Sequence, residues 1–550
     1  MKRDALHLVP ANIDAEPPQI LEGDGLIRAV VNPLPTVLTN DGGVCLGALF
    51  EVADWSALGS PIPDGTFAIV RHDENTVELV SDVFASRTIW YVHTSDLFLA
   101  SNSQRALVAL LGDYRPCGET VSWMVASGYL GPEHGWDERL RRVPGNTVLR
   151  LDRQSWQLSS DTTHVEIEPR NLPGDELLTL MRDAIFETCA RIDLDRAPSI
   201  LTLSGGADSR VILIGLANAG KRTTCVTWGL TPSIDDPRND AYIARQLAGR
   251  YGMKHDYFIL DFPDDPVRDV FSRFLLAGEG RAEDFSGYTD GMKTWERLFA
   301  LGVATVMRGD CPGWGSPYDP TNEFIARSLR MHAALATDFP EGHLIRRLAV
   351  TPQRLADVYY RRDGESLPHY RDRLYNEYEL PTCMAAFNDV KCAYCEVINP
   401  LYGQQIVKAG SELPDELRHL RVGYERMVGE LAPDVPFAQH HADEGLDHYL
   451  GRPQVLQELL SELSSEDARR VFPPAVLEDL VGDLEKPSTE TRSRLRRRMR
   501  GAVPERLIRV MRSAPRPRLE TKRVAYRAYI ASRMNAILRD DARLPPTPHA

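Results

Sequence analysis

Long apolar runs are missing from this 550-residue chain. No stretch of about 18 apolar residues could span a bilayer. The opening MKRDALHLVPANIDAEPP has no apolar core of signal-peptide length. The expectation is a cytoplasmic protein with no membrane partner. Cysteine is scarce, with eight in the whole chain, so no disulfide framework holds it together. Cys392 and Cys395 form a lone CxxC with no second pair at zinc spacing, and they read as buried thiols near one helical face. An excess of basic charge is also missing. The net charge of -14 argues against nucleic acid as a partner. No internal repeat of solenoid length is present.

The length calls for two or three domains. Residues 1–165 hold short strand-like runs between turn signals. In GTFAIVRHDENTVELVSD the Asp-Glu-Asn lies between two alternating runs and predicts a hairpin. TIWYVHTSDLFLAS and RRVPGNTVLRLD add further strands, so this part reads as stacked antiparallel sheets with a few helices. From about Asp175 the pattern becomes helix, strand, helix, strand. TTCVTWG, HDYFIL and VATVMRG are strands, and NDAYIARQLAGRYG and Met292–Leu301 are helices. Such alternation predicts a parallel, doubly wound sheet. Beyond about Leu355 the chain reads mostly helical. Between Lys486 and Arg523 basic residues dominate, as a solvated helical face or as a docking surface for something acidic.

SILTLSGGADSRVILIGLANAG, from Ser199 to Gly220, carries the sharpest signal. A short buried strand leaves through Ser-Gly-Gly and a helix starts at Asp-Ser. Val211, Ile212, Gly215, Leu216 and Ala219 recur at helical spacing, and Gly220 stops the helix. Two glycines let the backbone approach a ligand closely. A helix N-terminus favours an anion, and a phosphate group is the natural candidate. No Gly-Lys-Ser/Thr follows, so this is not a Walker loop.

LSGGADSR resembles the pyrophosphate-binding loop of the N-type ATP pyrophosphatases. The resemblance implies that Leu203, Ser204, Gly205, Gly206, Asp208 and Ser209 hold ATP, with Asp208 on Mg²⁺. Within that family the chain is similar to the asparagine synthetase-like proteins over about residues 60–445. VMRGDCPGWGS resembles their strand ending in an acidic Gly-rich loop. This places Gly309 at the nucleotide and Asp310 as a second Mg²⁺ ligand. NPLYGQQIVKAGSELPDELR resembles their Pro-Phe/Leu-Leu-Asp segment. Glu396 then takes the position of the active-site acid, expected to accept the amine's proton. PDGTFAIVRHDENTVELVSDVFASRTIWY and LFLASNSQRALVALLG resemble the core of their glutaminase domain.

The implied fold is α/β and two-domain. Residues 1–165 would form an Ntn-hydrolase-like antiparallel αββα sandwich. Residues 171–450 would form a doubly wound parallel sheet of the adenine nucleotide α-hydrolase kind, and 451–550 a helical basic extension. Two departures qualify the likeness. A glutaminase of this kind needs a cysteine after the initiator Met, and the first cysteine here is Cys45, so the first domain is expected to be inactive. The family lysine is absent between Pro414 and Pro433, which leaves Arg421 and Arg426 as the available cations. Cys311 also replaces the acid beside Asp310.

Loss of the glutaminase resembles the β-lactam synthetases and lasso-peptide cyclases. The expected activity is therefore an AMP- and pyrophosphate-forming amide ligase that closes a lactam or macrolactam, using ATP and Mg²⁺. Its substrate would be a small molecule or peptide bearing a carboxylate and an amine. A precursor peptide with its protease and leader-binding proteins would be the partners. Two other readings stay open: an amidotransferase taking ammonia or an amine from elsewhere, and a non-catalytic binding or scaffold protein.

Overall fold

In the computed structural model, residues 19–23, 25–30, 35–51, 54–317, 319–331, 347–348, 354–485 and 521–544 are described. The basic stretch 486–520 lies outside them. So does the opening segment 1–18.

Alternation of apolar and polar residues builds the N-terminal part. A small hairpin of β1 (Gln19–Gly23) and β2 (Leu26–Val30) precedes it. Six antiparallel strands follow: β3 (Leu38–Asn40), β4 (Gly43–Leu49), β5 (Gly65–His72), β6 (Thr76–Ser81), β10 (Thr147–Asp152) and β11 (Gln157–Thr162). Their order is β11-β10-β6-β5-β4-β3. The hairpin predicted at Asp-Glu-Asn is β5–β6, with Ala68 opposite Ser81. The Asp73 carboxylate closes its turn by accepting from Asn75 N and Thr76 N. A second sheet joins β7 (Trp90–His93), β8 (Phe98–Ser101) and β9 (Arg141–Arg142) in the order β8-β7-β9. Ala68, Leu79 and Leu149 of the larger sheet share one apolar cluster with Tyr91 and Phe98 of the smaller. The other face of the smaller sheet packs on helices α1 (Gln104–Leu111) and α2 (Gly118–Ser127) through Trp90, Val92, Leu107 and Val121.

The C-terminal part has five strands, all parallel: β12 (Ser199–Thr202), β13 (Thr224–Gly229), β14 (His255–Ile259), β15 (Thr305–Met307) and β16 (Glu396–Ile398). Their order is β14-β13-β12-β15-β16. The order reverses at β12, so β12 and β15 flank the switch point where ligands bind in such sheets. Helices α3 (Gly174–Arg191), α4 (Ala207–Asn218), α5 (Asp240–Arg250), α6 (Val267–Gly278) and α7 (Lys293–Ala300) cover the faces. α4 is apolar nearly all round. Val211, Ile212, Leu213, Ile214 and Leu216 are all buried, as expected of a helix closed in on every side. A Cβ at Gly215 would lie 2.8 Å from Cys189 Sγ, so glycine there lets α4 pack close to α3.

Among the described residues beyond Leu355 the chain is mostly helical, as predicted. β16 is the named strand among them, three residues inside helical surroundings. The C-terminal helix Thr521–Asp541 is not peripheral. Ala525, Tyr526, Tyr529, Ile530 and Met534 are buried, in the same core as Trp90 and Val121. The buried Arg527 guanidinium pairs with Glu283 and donates to Val125 O and Ala126 O at the end of α2. Arg523, from the end of the basic stretch, pairs with Asp447 and Glu283. No helix of the described residues is long and apolar enough to cross a membrane.

Candidate functional site

The loop Leu203–Gly206 leaves β12 at its C-terminal end and enters α4. Gly206 is the N-cap and offers no side chain to the first turn, so the helix N-terminus is open to an external acceptor. Hydroxyls fix the loop. Ser204 N donates to Ser209 Oγ at 3.0 Å, the two hydroxyl oxygens are 3.1 Å apart, and Gly206 N donates to Ser204 Oγ at 3.2 Å. Gly205 N donates to the Asp240 carboxylate at 3.1 Å. A Cβ on Gly205 would lie 2.4 Å from Ala438 Cβ. Below the loop, Arg210 donates to Gly205 O, Val435 O and Pro436 O. Its guanidinium stacks 4.2 Å from the Phe437 ring centroid.

The end of β15 meets this loop directly. A Cβ at Gly309 would lie 2.6 Å from both Asp208 C and Ser209 N. Only glycine lets the two segments touch. The predicted loop residues Leu203, Ser204 and Ser209 therefore line one cavity of 200 Å³ with Gly309, Arg308, Thr227, Trp228, Asp240 and Asp443. Burial raises the Asp443 carboxyl above the usual carboxylate range. Thr227 Oγ1 lies 2.9 Å from His255 Nε2, and burial lowers that imidazole to about 4.

Both candidate metal ligands are paired with arginine. Arg421 Nη2 pairs with Asp208 Oδ1. Arg308 donates twice to Asp310, at 3.0 and 3.1 Å. Among the described residues no three His, Cys, Asp or Glu side chains gather as a metal cluster. Mg²⁺ commonly takes only one or two carboxylates and completes its shell with phosphate oxygens and water. Two hard carboxylates beside an open helix N-terminus fit that ion.

Two predicted site residues have their partners away from the loop. Glu396 stands opposite Thr305, which stands opposite Ser199. It is thus at the amino end of the parallel sheet, while Leu203 leaves the carboxyl end four residues on, ~13 Å away along the strand direction at ~3.3 Å per residue. The Glu396 carboxylate is buried against the N-terminal part, 3.3 Å from Arg87 Nε. Burial pushes its carboxyl above the usual range. Arg426 pairs with Asp175 at the surface, at 2.6 Å. Of the two candidate cations, Arg421 is the one at the site.

Sequence reasoning missed Asp240, Arg308, Trp228 and Asp443. Arg308 had a readable signal, because a cation two residues before Asp310, just past the end of β15, lies within reach of its carboxylate. Asp240 looks like an ordinary first-turn acid after the Asn239 cap, whose Oδ1 accepts from Ala241 N. Asp443 arrives from a distant crossing with no local signal. Cys311 is buried, and burial pushes its thiol well up. Cys395 is buried and Cys392 half-buried at the end of the helix Ala385–Lys391.

No protein-family model matches the chain, and no curated protein matches it. Among solved structures it is similar to one described as the allosteric regulatory enzyme of purine biosynthesis, at 12% identity and a TM-score of 0.14. The match covers 36% of this chain and 47% of that chain, so it spans about half of that protein's length. A superposition this shallow carries no argument about either half of the chain.

Proposed function

We propose that the chain is an ATP-dependent, AMP- and pyrophosphate-forming ligase that activates a carboxylate and joins it to an amine. The observation that carries this reading is the contact of Gly309 with the first turn of α4. It sets Asp208 and the Gly309–Asp310 corner side by side at the sheet's switch point, against a cavity entered by the Ser-Gly-Gly loop. An anion at the open N-terminus of α4 meets backbone N–H groups and the helix dipole. Ser204 and Ser209 hold the loop in that shape without occupying the helix end. Asp208 and Asp310 would hold Mg²⁺, which when bound supplies positive charge to the departing pyrophosphate. Trp228 offers an apolar wall to a base, and the Asp240 and Asp443 carboxylates offer acceptors to sugar hydroxyls. The fixed N–H groups and Arg421 face the end where negative charge develops, which is where preorganised donors lower a barrier most.

The finer reading is a lactam- or macrolactam-closing enzyme of specialised metabolism, supplied with its own amine. It rests on the resemblance and on the state of Cys45. That thiol is fully buried on β4, and burial pushes its pKa well above the usual thiol value, so it is not an available nucleophile. The test is product analysis with ATP, Mg²⁺ and a panel of amino acids and peptides carrying both groups. AMP and pyrophosphate formed in step with amide support the reading. ADP and phosphate, or no nucleotide turnover with any acceptor, would count against it.

A further inference from the structure

Arg421 holds Asp208 in a way that differs from the Arg308–Asp310 pair. Arg308 and Asp310 are two residues apart and share two parallel hydrogen bonds, a fixed fork. Arg421 reaches Asp208 across 213 positions in sequence with a single nitrogen, Nη2. Its Nε is buried and finds no acceptor. A guanidinium has five donors, so this one has capacity to spare. Its side chain is 30% exposed, so it is not locked in on every side.

The backbone under Arg421 is strained. Leu420 and Arg421 both have positive φ, 47° and 63°, a conformation that non-glycine residues seldom adopt. Two in succession form a tight joint between the helices Asp415–Arg418 and Val422–Leu431. Such strain clusters at ligand clamps and switches. The side-chain stem then passes the loop after Asp310, where a Cβ on Gly315 would lie 2.9 Å from Arg421 Cγ. The guanidinium rests 4.9 Å from the Tyr424 ring centroid.

We propose that Arg421 is a phosphate-operated latch on the cation site. In the free chain it neutralises Asp208. A polyphosphate arriving at the α4 N-terminus presents more negative charge and more acceptor oxygens than one carboxylate, so it draws the guanidinium away. Asp208 is then free for the divalent cation. The inference rests on the function proposed above and adds an order of events: the cation binds together with phosphate and not before it. Arg421 is a positioning residue for the cation and a binding residue for the phosphate.

The experiment titrates the full chain with Mn²⁺ alone, read by electron paramagnetic resonance, and so needs no nucleotide turnover. The variants are Arg421→Gly, Arg421→Lys and the double variant Arg421→Gly with Asp208→Asn. Glycine suits a φ of 63°, so Arg421→Gly removes the side chain and relaxes the turn. Circular dichroism checks the fold of each. Arg421→Gly should bind Mn²⁺ at least tenfold more tightly than the natural chain, and the double variant should lose that gain. With inorganic pyrophosphate added, the order should reverse. The natural chain should then bind the Mn²⁺–pyrophosphate pair at least tenfold more tightly than Arg421→Gly, with Arg421→Lys in between. Equal Mn²⁺ affinity in the natural chain and Arg421→Gly would overturn the latch, and so would pyrophosphate affinity that ignores residue 421. A natural chain that forms no AMP with any acceptor, while Arg421→Gly still gains Mn²⁺, would place the fault in the ligase reading instead.

Discussion

Arg87 Nε and Glu396 Oε1 lie 3.3 Å apart, with both side chains buried. Arg87 also pairs with Asp389 at 3.1 Å, and Asp389 pairs in turn with Arg281. This charged cluster joins the N-terminal sheets to the amino end of the parallel sheet and to the helix Ala385–Lys391. Glu396→Ala leaves the Arg87 guanidinium with Asp389 as its remaining partner, so it should lower the unfolding free energy by less than the about 3–5 kcal/mol that a fully uncompensated buried charge costs. ATP–pyrophosphate exchange and amide formation should fall together as the folded fraction falls. Denaturant melts beside the two half-reactions check this. A selective loss of amide formation in a fully stable variant would place Glu396 in the chemistry.

Gly309→Ala should damage the site from behind. The added methyl would meet backbone atoms of Asp208 and Ser209 at 2.6 Å, and neither can rotate away. Overpacking of this kind costs about 1–3 kcal/mol. The first turn of α4 should shift, and affinity for nucleotide should fall by more than tenfold. Calorimetric binding of a non-hydrolysable ATP analogue measures it.

Asp208→Ala should spare the fold and abolish pyrophosphate formation. Asp208 sits in the first turn of α4, where an acid contributes about 0.3–1 kcal/mol through the helix dipole. The catalytic loss should be orders of magnitude larger, because the side chain would hold the cation. Thermal melting and pyrophosphate release separate the two effects.

Acid should undock the C-terminal helix. Glu283 is fully buried, and although burial alone would raise its pKa, Arg527 beside it holds the carboxyl down to about 2 against an ordinary 4.5. A depressed acid contributes stability that is present above its unfolded pKa and lost as pH falls through the folded one. At ~1.4 kcal/mol per pH unit, the Glu283 ion pair contributes roughly 3 kcal/mol above pH ~4.5, lost progressively toward pH ~2. Amide exchange in Thr521–Asp541 should rise steeply across that window. In Glu283→Gln the rise should already be present at neutral pH.

Purified protein should release no glutamate from glutamine. Every cysteine is buried except the half-buried Cys392, and burial raises the Cys392 thiol well above its ordinary value. An enzyme-coupled glutamate assay tests this with high sensitivity.

The Ser-Gly-Gly loop was legible because its signal is local. A strand, two glycines, an Asp-Ser pair and an apolar helix occupy 22 successive residues, and the structure keeps that order as β12, loop and α4. The N-terminal hairpins were legible for the same reason, through their period-two alternation. β16 was not, since Glu396–Ile398 becomes a strand only by pairing with β15. A family-like segment marked Glu396, but sequence spacing does not say which end of a parallel strand faces the site. Between Pro414 and Pro433 the sequence offers Arg421 and Arg426 alike as cations. Only the fold separates them, because the partner of one is Asp208 and of the other Asp175. The basic stretch at 486–520 lies outside the described residues.

The most direct test of a nucleotide site at the Ser-Gly-Gly loop is calorimetric titration with an α,β-methylene ATP analogue and Mg²⁺, followed by displacement with pyrophosphate. The natural chain should bind the analogue at one site, pyrophosphate should displace it, and Asp208→Ala should reduce the affinity by at least a hundredfold while melting at nearly the same temperature. Undiminished binding in Asp208→Ala, or no binding to the natural chain, would contradict the assignment of this loop to ATP.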